Sequence, residues 1–244
     1  MKRLLLALDA GSLDLTRLDP FVRLAAELGV ELDALLVEDQ DLLTVAGLPF
    51  CHEVIRDSAR ARPLNPGQLQ QASRRLSQAL ENRLQHLARQ HPLHWQLRTH
   101  RGTWLDSPGT SWSETELLVL ARPCSPLSAG IRPPVKSVAL LCDSETPATR
   151  RALQLALRLA AVQRQPLLLL ALPGCPYRRA ADLPASSARI RIEPLAEADT
   201  AQLSGWLPAQ ADTLVMPQEF IWPDGVPAAH PLLELPAVQT LVVR

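Results

Sequence analysis

Four groups of residues have types and spacings that could do chemistry. The first is the opening run MKRLLLALDAGSLD, where an apolar stretch ends at Asp9 and Gly11 and Ser12 follow at once. In an α/β protein the turn after such a stretch is where a nucleotide's phosphates sit. Glycine lets backbone N–H groups approach an anion, and the next helix adds its positive end. The pattern returns at Asp143 and Ser144, after the run VALLC. The second group is His86, His91, His94 and His100, with HPLH (91–94) at i, i+3 spacing. Neutral imidazoles bind zinc, but Pro92 ends a helix before His91 and His94 share a face, so helix-end positions are expected and no metal site. The third is Cys51, Cys124, Cys142 and Cys175, which form no CxxC pair, and Cys51-His52 are too adjacent to chelate well. They read as reduced, partly buried thiols. The fourth is Ser12 itself. A nucleophilic serine needs a G-x-S-x-G elbow or a base with an orienting partner, and neither surrounds it. No catalytic residue emerges, and the chain reads as a non-enzyme.

Composition sets the outer bounds. A chain of 244 residues suits one large domain or two of roughly 120. With 47% hydrophobic and 20% charged residues it is globular. Twenty-five basic residues balance 25 acidic ones. A nucleic acid or an anionic membrane would favour a basic excess, so neither is expected as a partner. Asp9 interrupts the N-terminal apolar run too early for a signal peptide. No stretch approaches the roughly 20 apolar residues of a spanning helix. The expectation is a cytoplasmic protein without membrane insertion.

The elements that must position these residues repeat. Residues 2–39 and 135–173 each have an apolar run ending in Asp, a polar turn, an amphipathic stretch and a second apolar run. Phe21, Leu24, Ala25 and Leu28 recur at helical spacing before Gly29, as do Leu153, Leu157, Ala160 and Ala161 behind Pro147. Asp14 or Ser12 is placed to cap the first of these helices. Runs such as LLLAL and LLLLAL lack period-two alternation, the habit of parallel strands covered on both faces. Two βαβ units with right-handed crossovers follow. A repeat offset of about 133 residues marks a domain duplication, since a solenoid has a shorter period.

Residues 67–91 put Leu69, Ala72, Leu76, Leu80, Leu84 and Leu87 on one helical face. WQLRTHRG and ELLVLARP read as further strands. The second half shows strands at 188–195, 212–217 and 238–244 and a short helix at 199–207, and it lacks a counterpart of the long helix. The Pro-rich stretches 123–134 and 217–236 stay irregular, the first as the domain boundary.

This arrangement resembles a tandem universal stress protein. The resemblance rests on the doubled strand–Asp–turn–helix–strand unit, on GVELDALLVEDQDLLTVAGLPFCHEV (29–54) and on the closing strand TLVVR. It implies an α/β fold of two tandem universal-stress-like domains, 1–130 and 131–244. Each would be a mostly parallel five-stranded sheet flanked by helices, the second reduced. Family members commonly dimerise through the last strand, so the two halves are expected to form an internal pseudo-dimer.

Many family members bind ATP through the Asp after the first strand and a loop of the form G-x2-G-x9-G-[ST] after the fourth. Here RPCSPLSAGIRPP and PQEFIWPDGVPAAHPLLELP stand in those places, with one glycine each, Gly130 and Gly225. Proline has no N–H to offer a phosphate. ATP binding is therefore expected to be lost, with no cofactor, and Asp9 without a ligand role. If an adenine nucleotide is bound after all, the resemblance puts it at Asp9, Gly11, Ser12, Val37, Asp143 and Ser144, with Val37 to Asp39 and Ala121 around it.

Other features point to contacts. Trp95, Trp104 and Trp112 fall within 18 residues and would either cover a sheet edge or anchor a partner. The segment LLTVAGLPFCHEVI (42–55) is too apolar for a free loop and is expected to pack on the nucleotide cleft, the other half or another protein. Arg74-Arg75, Arg150-Arg151 and Arg178-Arg179 read as solvated faces. The function expected is a non-catalytic stress-response or regulatory protein acting through a protein partner or self-association. The rivals are a nucleotide sensor with a non-standard pocket and a small-molecule hydrolase or transferase.

Overall fold

The computed structural model describes residues 2–10, 15–55, 60–103, 105, 115–121, 136–184, 188–197, 199–235 and 238–244. The apolar runs become strands β1 (Arg3–Asp9), β2 (Glu31–Glu38), β5 (Trp95–Arg101), β6 (Thr115–Ala121), β7 (Ser137–Cys142), β8 (Leu167–Ala171), β9 (Ile190–Pro194), β10 (Ala211–Pro217) and β11 (Gln239–Val243). Strands β3 (His52–Ile55) and β4 (Arg60–Pro63) form a separate antiparallel pair. The helices are α1 (Asp19–Leu28), α2 (Gln40–Ala46), α3 (Pro66–Gln90), α4 (Pro147–Gln163), α5 (Thr200–Gln210) and the single turn α6 (Gln218–Ile221).

Among the described residues nine strands form one sheet in the order β5-β2-β1-β6-β11-β10-β7-β8-β9. Every neighbouring pair is parallel except β6 with β11, where Leu120 faces Thr240 and Leu117 faces Val243. The sheet thus divides into two parallel sets that point opposite ways. Inward from either edge the order within a set is third, second, first, fourth, and β11 follows only in the later set. Nine strands stand where two five-stranded sheets would have ten. Among the described residues the later part has less helix, with one 3-10 turn (Ala180–Asp182) between β8 and β9 where α3 lies in the earlier part.

Coverage on both faces explains the unbroken apolar runs. On one face Leu4, Leu6 and Leu8 of β1 pack with Phe21 and Leu24 of α1, Leu80, Leu84 and Leu87 of α3, and Ala152 and Leu159 of α4. On the other face Leu5 and Ala7 join Leu203 and Leu207 of α5, Trp222, Leu232 and Leu235. Each fully buried leucine contributes about 1.5–3 kcal/mol relative to exposure.

Two expectations change and one is narrowed. Helix α1 begins at Asp19, with Leu18 in the capping position and no side-chain cap, because a 3-10 turn (Leu15–Leu18) already leads the chain in. Ser12 and Asp14 lie outside the described residues. Only the C-terminal part of α3 is fully buried: Ala72 is exposed and Leu69 and Leu76 are half-covered. Segment 42–55, expected to pack on the cleft, the other half or another protein, turns into α2 and β3. Leu42, Val45, Leu48, Phe50 and Val54 remain exposed there, Phe50 at 71%.

Candidate functional site

In a parallel sheet ligands gather beyond the carboxyl ends of the strands. β1, β2, β5 and β6 end along one sheet edge, and a cleft of about 620 Å³ opens there. Asp9 ends β1 beside Val37 of β2, and the Ala10 N–H donates to the Val37 carbonyl at 3.0 Å. Both residues line the cleft, with Ala121 at the end of β6. Two of the expected site residues and their expected surroundings are therefore brought together. Gly11 and Ser12 lie outside the described residues, as do Trp104, Trp112, Cys124 and the stretch 122–135 that holds the first Pro-rich loop.

Asp143 and Ser144 do not join that site. They follow β7, four strands from β1 and about 19 Å away at ordinary strand spacing. Because β6 and β11 are antiparallel, they also lie at the opposite sheet edge. The Ser144 hydroxyl donates to Asp143 Oδ1 at 2.9 Å. The turn Leu172–Cys175 covers this strand end. Cys175 N–H donates to the Leu172 carbonyl at 2.9 Å, and Leu172 N–H to the Cys142 carbonyl at 2.9 Å. A Cβ on Gly174 would stand 2.1 Å from the Asp143 carbonyl oxygen, so only glycine fits this approach.

The roof of the first cleft was not read from the sequence. Ala229, His230, Leu233 and Glu234, from the connection between β10 and β11, close over it. His230 Nδ1 accepts from the Leu232 N–H at 3.2 Å and caps the short 3-10 turn Pro231–Leu233. Burial holds its pKa below the ordinary histidine value. The available signal was HPLLELP (230–236), a capping residue before a compact apolar turn.

The charge of the cleft decides what it accepts. Asp9, Asp39, Asp41 and Glu234 line it, and no lysine or arginine does so among the described residues. Asp39 ends its strand by capping α2, and its Oδ1 accepts from the Leu42 N–H at 3.0 Å. The first amides of α2 are thus turned to a carboxylate of the chain itself. Behind the wall, Glu38 accepts from Ser73 and from Arg101 Nε at 3.0 Å. Burial raises the Glu38 pKa, but those hydrogen bonds and the Arg101 charge outweigh it and hold the carboxyl below its ordinary value. After β10 the second Pro-rich stretch runs through α6 and a turn at Gly225 (φ 71°), beside a smaller hollow of about 240 Å³.

No protein-family model matches the chain, and no curated protein matches it. Solved structures do. A universal stress protein from Archaeoglobus fulgidus DSM 4304 superposes with a TM-score of 0.50 over 99% of this chain and 96% of its own, at 11% identity. The chain has a universal-stress-protein-like fold. A putative universal stress protein from Pseudomonas aeruginosa UCBPP-PA14 aligns at 13% identity, with a TM-score of 0.46, over 100% of this chain and 93% of its own. No helix among the described residues is long and apolar enough to cross a membrane.

Proposed function

We propose that the protein is a non-catalytic regulatory protein of the universal-stress type, acting in stress response through protein contacts, with family-style ATP binding lost. The observation that carries this reading is the arm formed by α2 and the β3–β4 pair. Six large hydrophobic side chains are exposed among the described residues, and five of them, Leu42, Val45, Leu48, Phe50 and Val54, lie on this arm. Apolar exposure concentrated in one segment is the surface habit of a contact site, because scattered apolar residues would spread over the molecule. The loss of ATP binding is supported by the four carboxylates around the cleft. Like charge repels a triphosphate, and no lysine or arginine lines the cleft among the described residues.

In this reading residues 1–130 and 131–244 are tandem halves packed as an internal pseudo-dimer. The mirrored strand order and the antiparallel β6–β11 seam support it. A Phe50→Ser/Val54→Ser variant tests the contact. It should fold with unchanged stability and lose the self-association or partner binding of the unaltered chain, read by sedimentation velocity. A variant that associates as before contradicts the reading.

The volume of the Asp9 cleft favours a second reading, a small-molecule sensor that holds an adenine nucleotide by its base and ribose. Asp9→Ala would then lower the affinity for that nucleotide, whereas the contact reading predicts no affinity to lose.

A further inference from the structure

Cys142 ends β7 and Cys175 closes the turn after β8, and both side chains are buried, at 0% and 4% exposure. Three backbone features hold them together. Leu172 N–H bonds to the Cys142 carbonyl, Cys175 N–H returns to the Leu172 carbonyl, and Gly174 is pressed against Asp143 too closely for any side chain. Both side chains belong to one buried cluster on the same face of the sheet, and each thiol is the largest influence on the other's protonation. Thirty-three positions separate them in sequence (175 − 142), so the contact is made by the fold.

From this geometry we propose that Cys142 and Cys175 are a redox modification site, a dithiol that a peroxide converts to an intramolecular disulfide. The chemistry divides the roles. The hydrogen bond from Cys142 holds the Cys175 pKa below the ordinary thiol value, helped by the Tyr177 N–H and the Arg178 charge against the cost of burial. The Cys142 pKa is pushed up by the same hydrogen bond and by burial. Cys175, on the turn whose Pro173 and Gly174 are exposed and with Arg178 anchored beside it, is therefore the attacking thiolate. Cys142, buried at the end of β7, is the resolving thiol. Arg178 donates to the Leu172 carbonyl at 3.2 Å.

The Cys175 thiolate attacks one oxygen of hydrogen peroxide. The O–O bond breaks, and the departing hydroxide takes a proton and leaves as water. Cys175 is left as a sulfenic acid. The Cys142 sulfur then attacks the Cys175 sulfur, and its proton leaves with the hydroxyl as a second water. Two thiols lose two electrons and two protons, one peroxide becomes two waters, and an S–S bond joins β7 to the turn after β8. Pro173 and Gly174, next to Cys175 at the tip of that turn, are exposed. The inference is independent of the contact function proposed above.

The test treats the folded full-length protein with hydrogen peroxide, blocks free thiols and maps the peptides by mass spectrometry. The expected product is a Cys142–Cys175 cross-link, lighter by two hydrogens and reversed by dithiothreitol. Cys142→Ala should leave a Cys175 sulfenic acid that dimedone captures, and Cys175→Ala should leave Cys142 unmodified. If these variants fail to fold, the map of the unaltered protein decides alone. Both thiols still free after treatment, or oxidation confined to Cys51 and Cys124, would overturn the proposal.

Discussion

The strand ends after β1 and β7 start from the same local pattern, an apolar run closed by aspartate, and end differently. Beyond β1 the chain leaves a cleft of about 620 Å³ lined by Asp9. Beyond β7 the turn Leu172–Cys175 folds back onto Asp143. What separates them is the connection after the neighbouring strand. After β2, Asp39 caps α2 and carries the chain outward. After β8, Pro173-Gly174-Cys175 carries it inward. The strand-end aspartate alone does not make a ligand site. The next connection decides whether it faces space or backbone.

The comparison can be broken most forcefully at Gly174. In Gly174→Ala the new Cβ must displace the Asp143 carbonyl or the turn itself, and overpacking of this kind costs roughly 1–3 kcal/mol. Urea denaturation should show the loss, and an unchanged midpoint would mean that the turn is not seated as described.

A smaller effect is expected at the helices that follow the two strand ends. α1 ends at Gly29 with φ 62°, and α4 ends at Arg164 with φ 55°. Both residues send their N–H back to the last turn of their helix, but only glycine takes this left-handed conformation without strain. Arg164→Gly should stabilise by roughly 0.5–1 kcal/mol, and Gly29→Ala should cost about 1 kcal/mol, where open space around the new Cβ leaves backbone strain as the cause. Thermal unfolding of the two variants gives both signs.

Much of this fold was legible in the sequence. The two βαβ units, the long helix and the final strand follow from apolar runs and helical periodicity. The cleft at Asp9 and Val37 follows from where parallel strands end. Less legible was anything fixed by distant segments. The roof at His230 comes from residues more than 200 positions after Asp9, and no local pattern announces that return. The apolar content of the arm was legible, but that Phe50 and Val54 stay in the open is visible only in the fold. The thiols of Cys142 and Cys175 carry no short-range motif, and only the fold brings them together.

The wall of the cleft predicts a pH dependence. Glu38 has a folded pKa below its unfolded value. Its stabilisation is therefore full above the ordinary carboxylate range and is lost as pH falls through the depressed folded value. Glu38→Gln should cost about 1 kcal/mol at neutral pH. The gap between the two proteins should close in acid, as read from unfolding midpoints across pH. The smallest stability effect belongs to the arm: Phe50→Ser should stay within about 0.5 kcal/mol of the unaltered chain, because the ring is mostly in water already.

The central proposal, that the cleft at Asp9 does not hold nucleotide phosphates, is tested most directly by thermal unfolding with and without millimolar ATP, ADP and AMP in the presence of magnesium. A ligand at 100 times its dissociation constant adds about 2.7 kcal/mol when it binds only the folded state. In a chain of this size that raises the midpoint by several degrees. No shift with any nucleotide is the predicted result, and a reproducible rise with one of them, abolished by Asp9→Ala, would contradict it.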